Sequence, residues 1–89
     1  MRLIRIVHTT SGFRKSFKKL PKKLQGSAVK KDLVFRKNAF DPRLKTHPLK
    51  GDLEGYHAYS LNDKYRILLR FISSDEVIYY DIGTHEIYR

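Results

Sequence analysis

The sequence predicts an α+β fold in which a helical pair packs on a mostly antiparallel four-stranded sheet, in the order β-α-α-β-β-β. The prediction rests on a short β-branched run that opens the chain, apolar residues at helical spacing from Phe13 onward, and strand-like segments with hairpin-sized turns in the last third. At 89 residues the chain is sized for a single domain with one small core. It contains no internal repeat and no low-complexity segment.

Leu3-Ile4-Arg5-Ile6-Val7 is the first expected strand, and it stops at "TTSG". Ser11 or Thr10 can cap the helix that follows, in which Phe13, Phe17 and Leu20 recur with Arg14, Lys15, Lys18 and Lys19 between them. This basic amphipathic helix ends at Pro21. A second helix is expected from Pro21 to about Phe40, with the proline tolerated in its first turn. Leu24, Ala28 and Phe35 share one face while Val29 and Leu33 fall nearly opposite, which fits either a helix covered on two sides or one that bends near Gly26. Pro42, Pro48, Gly51 and Gly55 break any period across residues 38–57, so that stretch reads as a basic loop with room for a short strand segment.

His57–Leu61, Tyr65–Ile72 and Val77–Ile82 are the remaining expected strands, joined by "NDK" and "SSDE". In the middle one Tyr65, Ile67, Leu69 and Phe71 alternate with Arg66, Leu68, Arg70 and Ile72. The helices should therefore cover the first set, and Arg66 and Arg70 should look outward.

Charge is the strongest global signal. Nineteen Lys and Arg stand against 9 Asp and Glu, a formal net charge of +10. A chain so unbalanced repels itself when compact, and RNA, DNA or an acidic protein is the partner that would supply the missing charge. The basic stretches are not interleaved with exposed Trp, Phe or Leu in the manner of an interfacial helix, which argues against a membrane surface. There is no cysteine, so disulfides and thiolate chemistry are excluded. His8, His47, His57 and His85 show no close ligand spacing, and no metal or other cofactor is expected. "MRLIRIVH" does not read as a signal peptide and no apolar run approaches membrane-spanning length, so a cytoplasmic location is expected.

The ending "DIGTHEIYR" releases a strand through glycine and threonine and then delivers an imidazole, a carboxylate, a phenol and a guanidinium, a mixture suited to proton transfer beside an anion. Taken with the element order and the stretch "LKTHPLKGDLEGYHAYSLNDKYRILLRF", this ending resembles the RelE/ParE superfamily of bacterial type II toxins, and within it the YafQ-like and YoeB-like messenger-RNA interferases. The resemblance runs over nearly the whole chain and is most specific at "HPLKG", "KYRILLRF" and "GTH". It implies a ribonuclease that cuts messenger RNA in the ribosomal A site and is silenced by a cognate antitoxin. YafQ-like members carry one histidine in the first motif and one in the last, matching His47 and His85; YoeB-like members carry an arginine in the penultimate strand, matching Arg66. Where YafQ-like toxins have a further histidine and an aspartate, this chain offers Ser60 and Lys64, and YoeB-like toxins have a glutamate near the position of His47. The division of acid and base roles stays open.

RNA can be cut without metal when its own 2′-hydroxyl attacks the adjacent phosphorus. That needs a base, an acid for the leaving 5′ oxygen, and fixed cations around the phosphorane. Histidine suits both proton transfers, each worth on the order of 10² to 10⁴ in rate, and arginine suits the third part by bidentate contact with phosphate oxygens. His85 is the leading acid or base, His47 its counterpart if the loop brings it near, and Arg66 the stabiliser of the transition state, with Arg70 behind it. Arg43, Lys45, Lys50, Lys64 and Arg70 would hold the RNA backbone, and Tyr88 would stack on a base or orient the nucleotide. Glu86 is the alternative base, but it would point away from His85 if the terminus is extended. His8 and His57 read as structural, and the other tyrosines as sheet and core residues.

Two other readings compete: a ParE-like toxin that binds DNA gyrase and cuts nothing, and a relic that keeps the fold as an RNA-binding module. An acidic, partly disordered antitoxin is the expected partner of a toxin, which is taken as monomeric alone and assembled further through that antitoxin.

Overall fold

The computed structural model describes residues 1–88; Arg89, the last residue of the C-terminal motif, lies outside the described residues. Strand β1 (Ile6–Thr9) leads into helices α1 (Ser11–Lys19) and α2 (Lys22–Lys37), and four further strands follow: β2 (His47–Pro48), β3 (His57–Ser60), β4 (Arg66–Phe71) and β5 (Glu76–Gly83). They form one five-stranded sheet in the order β1-β5-β4-β3-β2, with β1 parallel to β5 and every other pairing antiparallel. The expected α+β layering holds, with one strand more than the sequence predicts. The addition is β2, a two-residue edge strand inside the basic loop, where Pro48 is tolerated because an edge position needs no ladder donor.

Hydrogen bonds explain where the elements begin and end. The first strand starts at Ile6 rather than Leu3 because the amide of Ile4 donates to the carbonyl of Arg36 at the end of α2, not to the sheet. The amide of Ala39 returns a bond to the carbonyl of Arg2, and Asn38 Oδ1 accepts from the amides of Arg2 and Phe40, so α2 stops at Lys37 rather than Phe40. Thr10 caps α1 by accepting from the amide of Phe13 at 3.0 Å, and its hydroxyl donates to the carbonyl of Tyr80, tying the cap to β5. Helix α2 runs unbroken through Gly26. Val29 and Leu33 are 54% and 58% exposed, so it is covered on one side only.

Both helices pack on one face of the sheet. At the centre Phe35 stacks on Tyr59 with ring centroids 4.8 Å apart and meets Tyr79 edge-on at 5.8 Å. Tyr79 donates to Asp32 Oδ1 at 2.7 Å, which commits its proton, so Tyr59 is the donor in the 3.0 Å contact between the two hydroxyls. Arg36 Nε holds the other oxygen of Asp32 at 2.9 Å. The inward set read from β4 is seen as expected: Ile67 and Leu69 lie in the core, Tyr65 and Phe71 pack against it, Arg66 is half-buried and Arg70 is exposed.

One irregularity sets the far face. Leu69 pairs with Tyr79 and Leu68 with Asp81, so Tyr80 is an extra residue in β5 and the strand bulges there. Without it, alternation would turn Ile82 away from the core; with it, Val77, Tyr79 and Ile82 are all buried on the helix side.

Two outcomes test this packing. Phe35→Ala removes a fully buried ring and is expected to cost about 3–5 kcal/mol in urea unfolding, a large part of the stability of so small a chain, whereas Leu33→Ala should change the midpoint little. Burial raises the pKa of both Tyr59 and Tyr79 above the ordinary tyrosine value. Groups raised in the folded state contribute stability that is complete below the unfolded pKa, near 10, and lost as pH rises through the folded values. Alkaline titration should therefore show a late tyrosinate absorbance step coincident with loss of helical circular dichroism, and a smooth early titration of all tyrosines with the fold intact would contradict the packing.

Candidate functional site

The face of the sheet away from the helices carries the candidate residues. Register places Ser60, Arg66 and Gly83 in one row across β3, β4 and β5, and His47, Ala58, Leu68 and Asp81 in the next. After Gly83 the chain does not stay extended. It folds into a 3₁₀ turn at His85–Tyr88, which corrects the alternation expected for His85 and Glu86.

This turn lies back over the row that contains Arg66. A Cβ on Gly83 would stand 2.9 Å from Ile87 Cγ2, so the absence of a side chain at residue 83 lets Ile87 settle on the strand. The turn brings His85 to Arg66, with Arg66 Nη1 donating to His85 Nε2 across 3.4 Å. In that arrangement Nε2 carries no proton and its lone pair faces the guanidinium. Tyr88 packs edge-on to His85 at 5.8 Å, and its hydroxyl is buried with no hydrogen-bond partner among the described residues. Burial raises the Tyr88 pKa, and the positive charge of Arg66 partly offsets that. An imidazole, a guanidinium and a phenol without a partner among the described residues thus lie close together.

His47 is not part of that spot. It sits on edge strand β2, exposed, with Nδ1 donating to the carbonyl of Lys45 at 2.8 Å. Register separates it from Leu68 by two strand spacings, roughly 10 Å, with buried Ala58 between, and no hydrogen bond links it to Arg66 or His85 among the described residues. Lys45 and Lys50 flank it on exposed turns, Lys45 holding a left-handed backbone at φ 54°. Arg43 is engaged: its guanidinium grips Asp41 through two bonds of 3.0 and 2.8 Å and holds that carboxyl down at about 2. Lys64 is exposed on the β3–β4 turn that delivers Arg66, a turn set by Asn62 Oδ1 accepting from the amides of Lys64 and Tyr65.

Of the two histidines set aside as structural, His57 packs edge-on against Phe71 and Phe40, and burial lowers its pKa. His8 meets Glu76 across β1 and β5. Sequence reasoning missed the part played by Gly83 and Ile87; the readable signal was a glycine inside a strand pattern, which marks a close approach. It also missed the outward pairing of Tyr56 with Tyr80, because a bulge leaves no periodic signature.

The dependence of the site on Gly83 is testable. Gly83→Ala should leave core amide resonances in place while shifting the ring resonances of His85, since the new methyl displaces Ile87 and the turn with it. Gly83→Ala combined with Ile87→Ala should restore the His85 resonances toward wild type. Unchanged His85 signals in the single variant would show that the turn does not depend on this contact.

No protein-family model and no curated protein matches the chain. Solved structures do. The YoeB/ParE toxin from Agrobacterium tumefaciens is similar over 91% of this chain and 99% of its own, at 16% identity and a TM-score of 0.76. The toxin–antitoxin complex RelBE2 from Mycobacterium tuberculosis contains a chain similar over 96% of this one and 95% of its own, at 20% identity and a TM-score of 0.71. The E. coli DinJ–YafQ toxin–antitoxin complex contains one similar over 98% and 97%, at 16% identity and a TM-score of 0.70. The likeness runs over nearly the whole of each chain, and the chain has the RelE/YafQ-like toxin fold.

Proposed function

We propose that this chain is the toxin of a type II toxin–antitoxin pair and acts as an endoribonuclease on messenger RNA at the ribosomal A site. The observation that carries the reading is the approach of Arg66 Nη1 to His85 Nε2 on the uncovered face of a fold otherwise seen in such toxins. With the substrate phosphate drawing the Arg66 guanidinium off the imidazole, His85 Nε2 takes the proton of the 2′-hydroxyl, the 2′ oxygen attacks the adjacent phosphorus, and the bond to the 5′ oxygen breaks. The resulting imidazolium returns its proton to that oxygen, leaving a 2′,3′-cyclic phosphate and a 5′-hydroxyl. Arg66 stabilises the negative charge that gathers on the phosphorane oxygens. Tyr88 orients the nucleotide. His47, with Lys45 and Lys50, is assigned to the RNA backbone rather than to the same phosphorus, so one imidazole serves both transfers. Lys64 and Arg70 extend the same basic track, and Arg43 joins it only by giving up Asp41.

A net charge of +10 supports an acidic antitoxin as the partner, and the two neighbours solved as toxin–antitoxin complexes support the pairing. Among the described residues no helix is long and apolar enough to cross a membrane. The proposed place of action is the cytoplasm, with the toxin monomeric until its antitoxin binds.

The test is to add the purified protein to a translating extract and map new 5′ ends on a reporter message. Codon-registered cuts should appear, fall by on the order of 10² to 10⁴ with His85→Ala, and fall by on the order of 10² to 10³ with Arg66→Ala. His47→Ala should weaken binding more than turnover at saturation. Intact message in an active extract would reject the nuclease, and inhibition of gyrase instead would establish the ParE-like reading.

A further inference from the structure

The bulge in β5 builds a second feature on the uncovered face, at the other end of β4 from Arg66. Tyr80 and Asp81 follow one another on that face because the extra residue breaks alternation. Tyr80 meets Tyr56 edge-on with centroids 5.2 Å apart, and the guanidinium of Arg70 lies 5.7 Å from the Tyr56 ring. Arg70, Ile72, Ile78 and Tyr80 border an open depression of about 370 Å³. Arg70 is exposed, and among the described residues no carboxylate pairs with it.

An exposed guanidinium beside two half-exposed phenol rings has no structural task here: the core is on the other face, and neither ring belongs to it. The combination has the chemistry of a stacking platform, a flat π surface for a base and a cation for the phosphate beside it. It also has the right place. Arg70 lies four residues along the strand from Arg66, about 14 Å at 3.4 Å per residue, on the same face, so one extended nucleic-acid strand can reach both.

We propose that Tyr80, Tyr56 and Arg70 form a base-stacking subsite for single-stranded RNA, holding a nucleotide that flanks the one at His85 and Arg66. The proposal rests on the ribonuclease reading for its second contact but not for its own chemistry. The stacked base fixes the register of the strand, so the phosphate presented to Arg66 is set by a contact that does not take part in the reaction. Stacking tolerates every base, and this subsite therefore selects position and single-strandedness rather than sequence.

The experiment measures binding of a labelled single-stranded RNA oligonucleotide by fluorescence anisotropy, with an abasic nucleotide walked through successive positions. For the wild type one abasic position should weaken binding, and Tyr80→Ala should weaken intact RNA roughly tenfold and abolish the dependence on that position. Tyr80→Phe should bind like wild type. Arg70→Gln should weaken binding and lower its salt dependence. A Lys19→Ala, Lys23→Ala variant, altered on exposed positions of the helical layer, calibrates non-specific charge loss, and thermal melts of every variant exclude misfolding. Equal affinity for Tyr80→Ala and wild type, or an equal loss with Tyr80→Phe, overturns the proposal. So does a Tyr80→Ala variant that loses an acidic antitoxin peptide while keeping RNA, which would assign the surface to a protein. In the translating extract, loss of message cleavage with His85→Ala but unchanged cut positions with Tyr80→Ala would overturn the subsite alone. No cleavage by wild type together with Tyr80-dependent RNA binding would overturn the nuclease reading alone.

Discussion

The hydrogen bond from Tyr79 to Asp32 is the constraint on which the rest of the molecule depends. It joins the middle of β5 to the middle of α2, from a buried phenol to a half-buried carboxylate. A phenol that deep without a partner would cost about 1–3 kcal/mol, so the helix has one acceptable position against the strand. With that position set, Phe35, three residues on from Asp32, stacks on Tyr59 in β3 and closes the layer. The core is small, and its specificity comes from this one polar chain surrounded by stacked rings.

Burying Tyr79 has a consequence at the far end of the same strand. Val77 and Tyr79 are two residues apart, as alternation requires, but the next core residue is Ile82, three further on. Only an added residue allows all of them to face α1 and α2, and the bulge at Tyr80 is that residue. Gly83 then falls opposite Arg66 with its backbone bare, which is what lets the 3₁₀ turn fold over it. The imidazole–guanidinium approach and the tyrosine pair on the uncovered face are both outcomes of how the opposite face is packed.

Charge is arranged by which arginines have carboxylate partners. Asp32, Asp41, Asp75 and Glu76 are taken by Arg36, Arg43, Arg5 and His8. Among the described residues Arg66 and Arg70 have no such partner, and Leu68 between them is buried and contributes none. Two unneutralised guanidinium groups along one strand repel the rest of a chain already at +10, and that cost is recovered when a polyanion or an acidic chain lies across them. Exposed surface pairs such as Arg43 with Asp41 contribute little to stability, but they decide which cations are free to receive a ligand.

Much of this was legible in the sequence, for reasons specific to each residue. The alternation of β4 was readable because both faces obey it, and Arg66 and Arg70 were readable with it. The C-terminal histidine was visible as a residue type in an unusual setting, but its direction was not, because the 3₁₀ continuation of "GTHEIY" brings Ile87 against the bare backbone of Gly83, a contact that no periodic pattern encodes. Strand β2 is two residues long and contains a proline, below the length at which periodicity carries information. The first strand and the end of α2 were misplaced by the same cause, a long-range exchange of backbone bonds between residues 2–4 and 36–39 that no local pattern encodes.

The contact of 3.4 Å between Arg66 and His85 is longer than a strong hydrogen bond, and His85 is exposed. Catalytic hydrogen bonds commonly tighten only when substrate is bound, and under the proposed function this site would do the same. The turn that carries His85 is held to the sheet by packing of one isoleucine on one glycine and by the half-buried Tyr88, whose buried hydroxyl has no partner among the described residues. A phosphate arriving between Arg66 and His85 would draw both cationic and hydrogen-bonding groups inward and give the phenol something to bond. In a chain this small, rigidity sufficient to hold the reacting geometry unaided would have to come from a larger core than the one Phe35, Tyr59 and Tyr79 provide. Under the proposed function the remaining order comes from what the uncovered face binds, and a base stacked some distance along β4 would supply part of it before the reacting phosphate is in place.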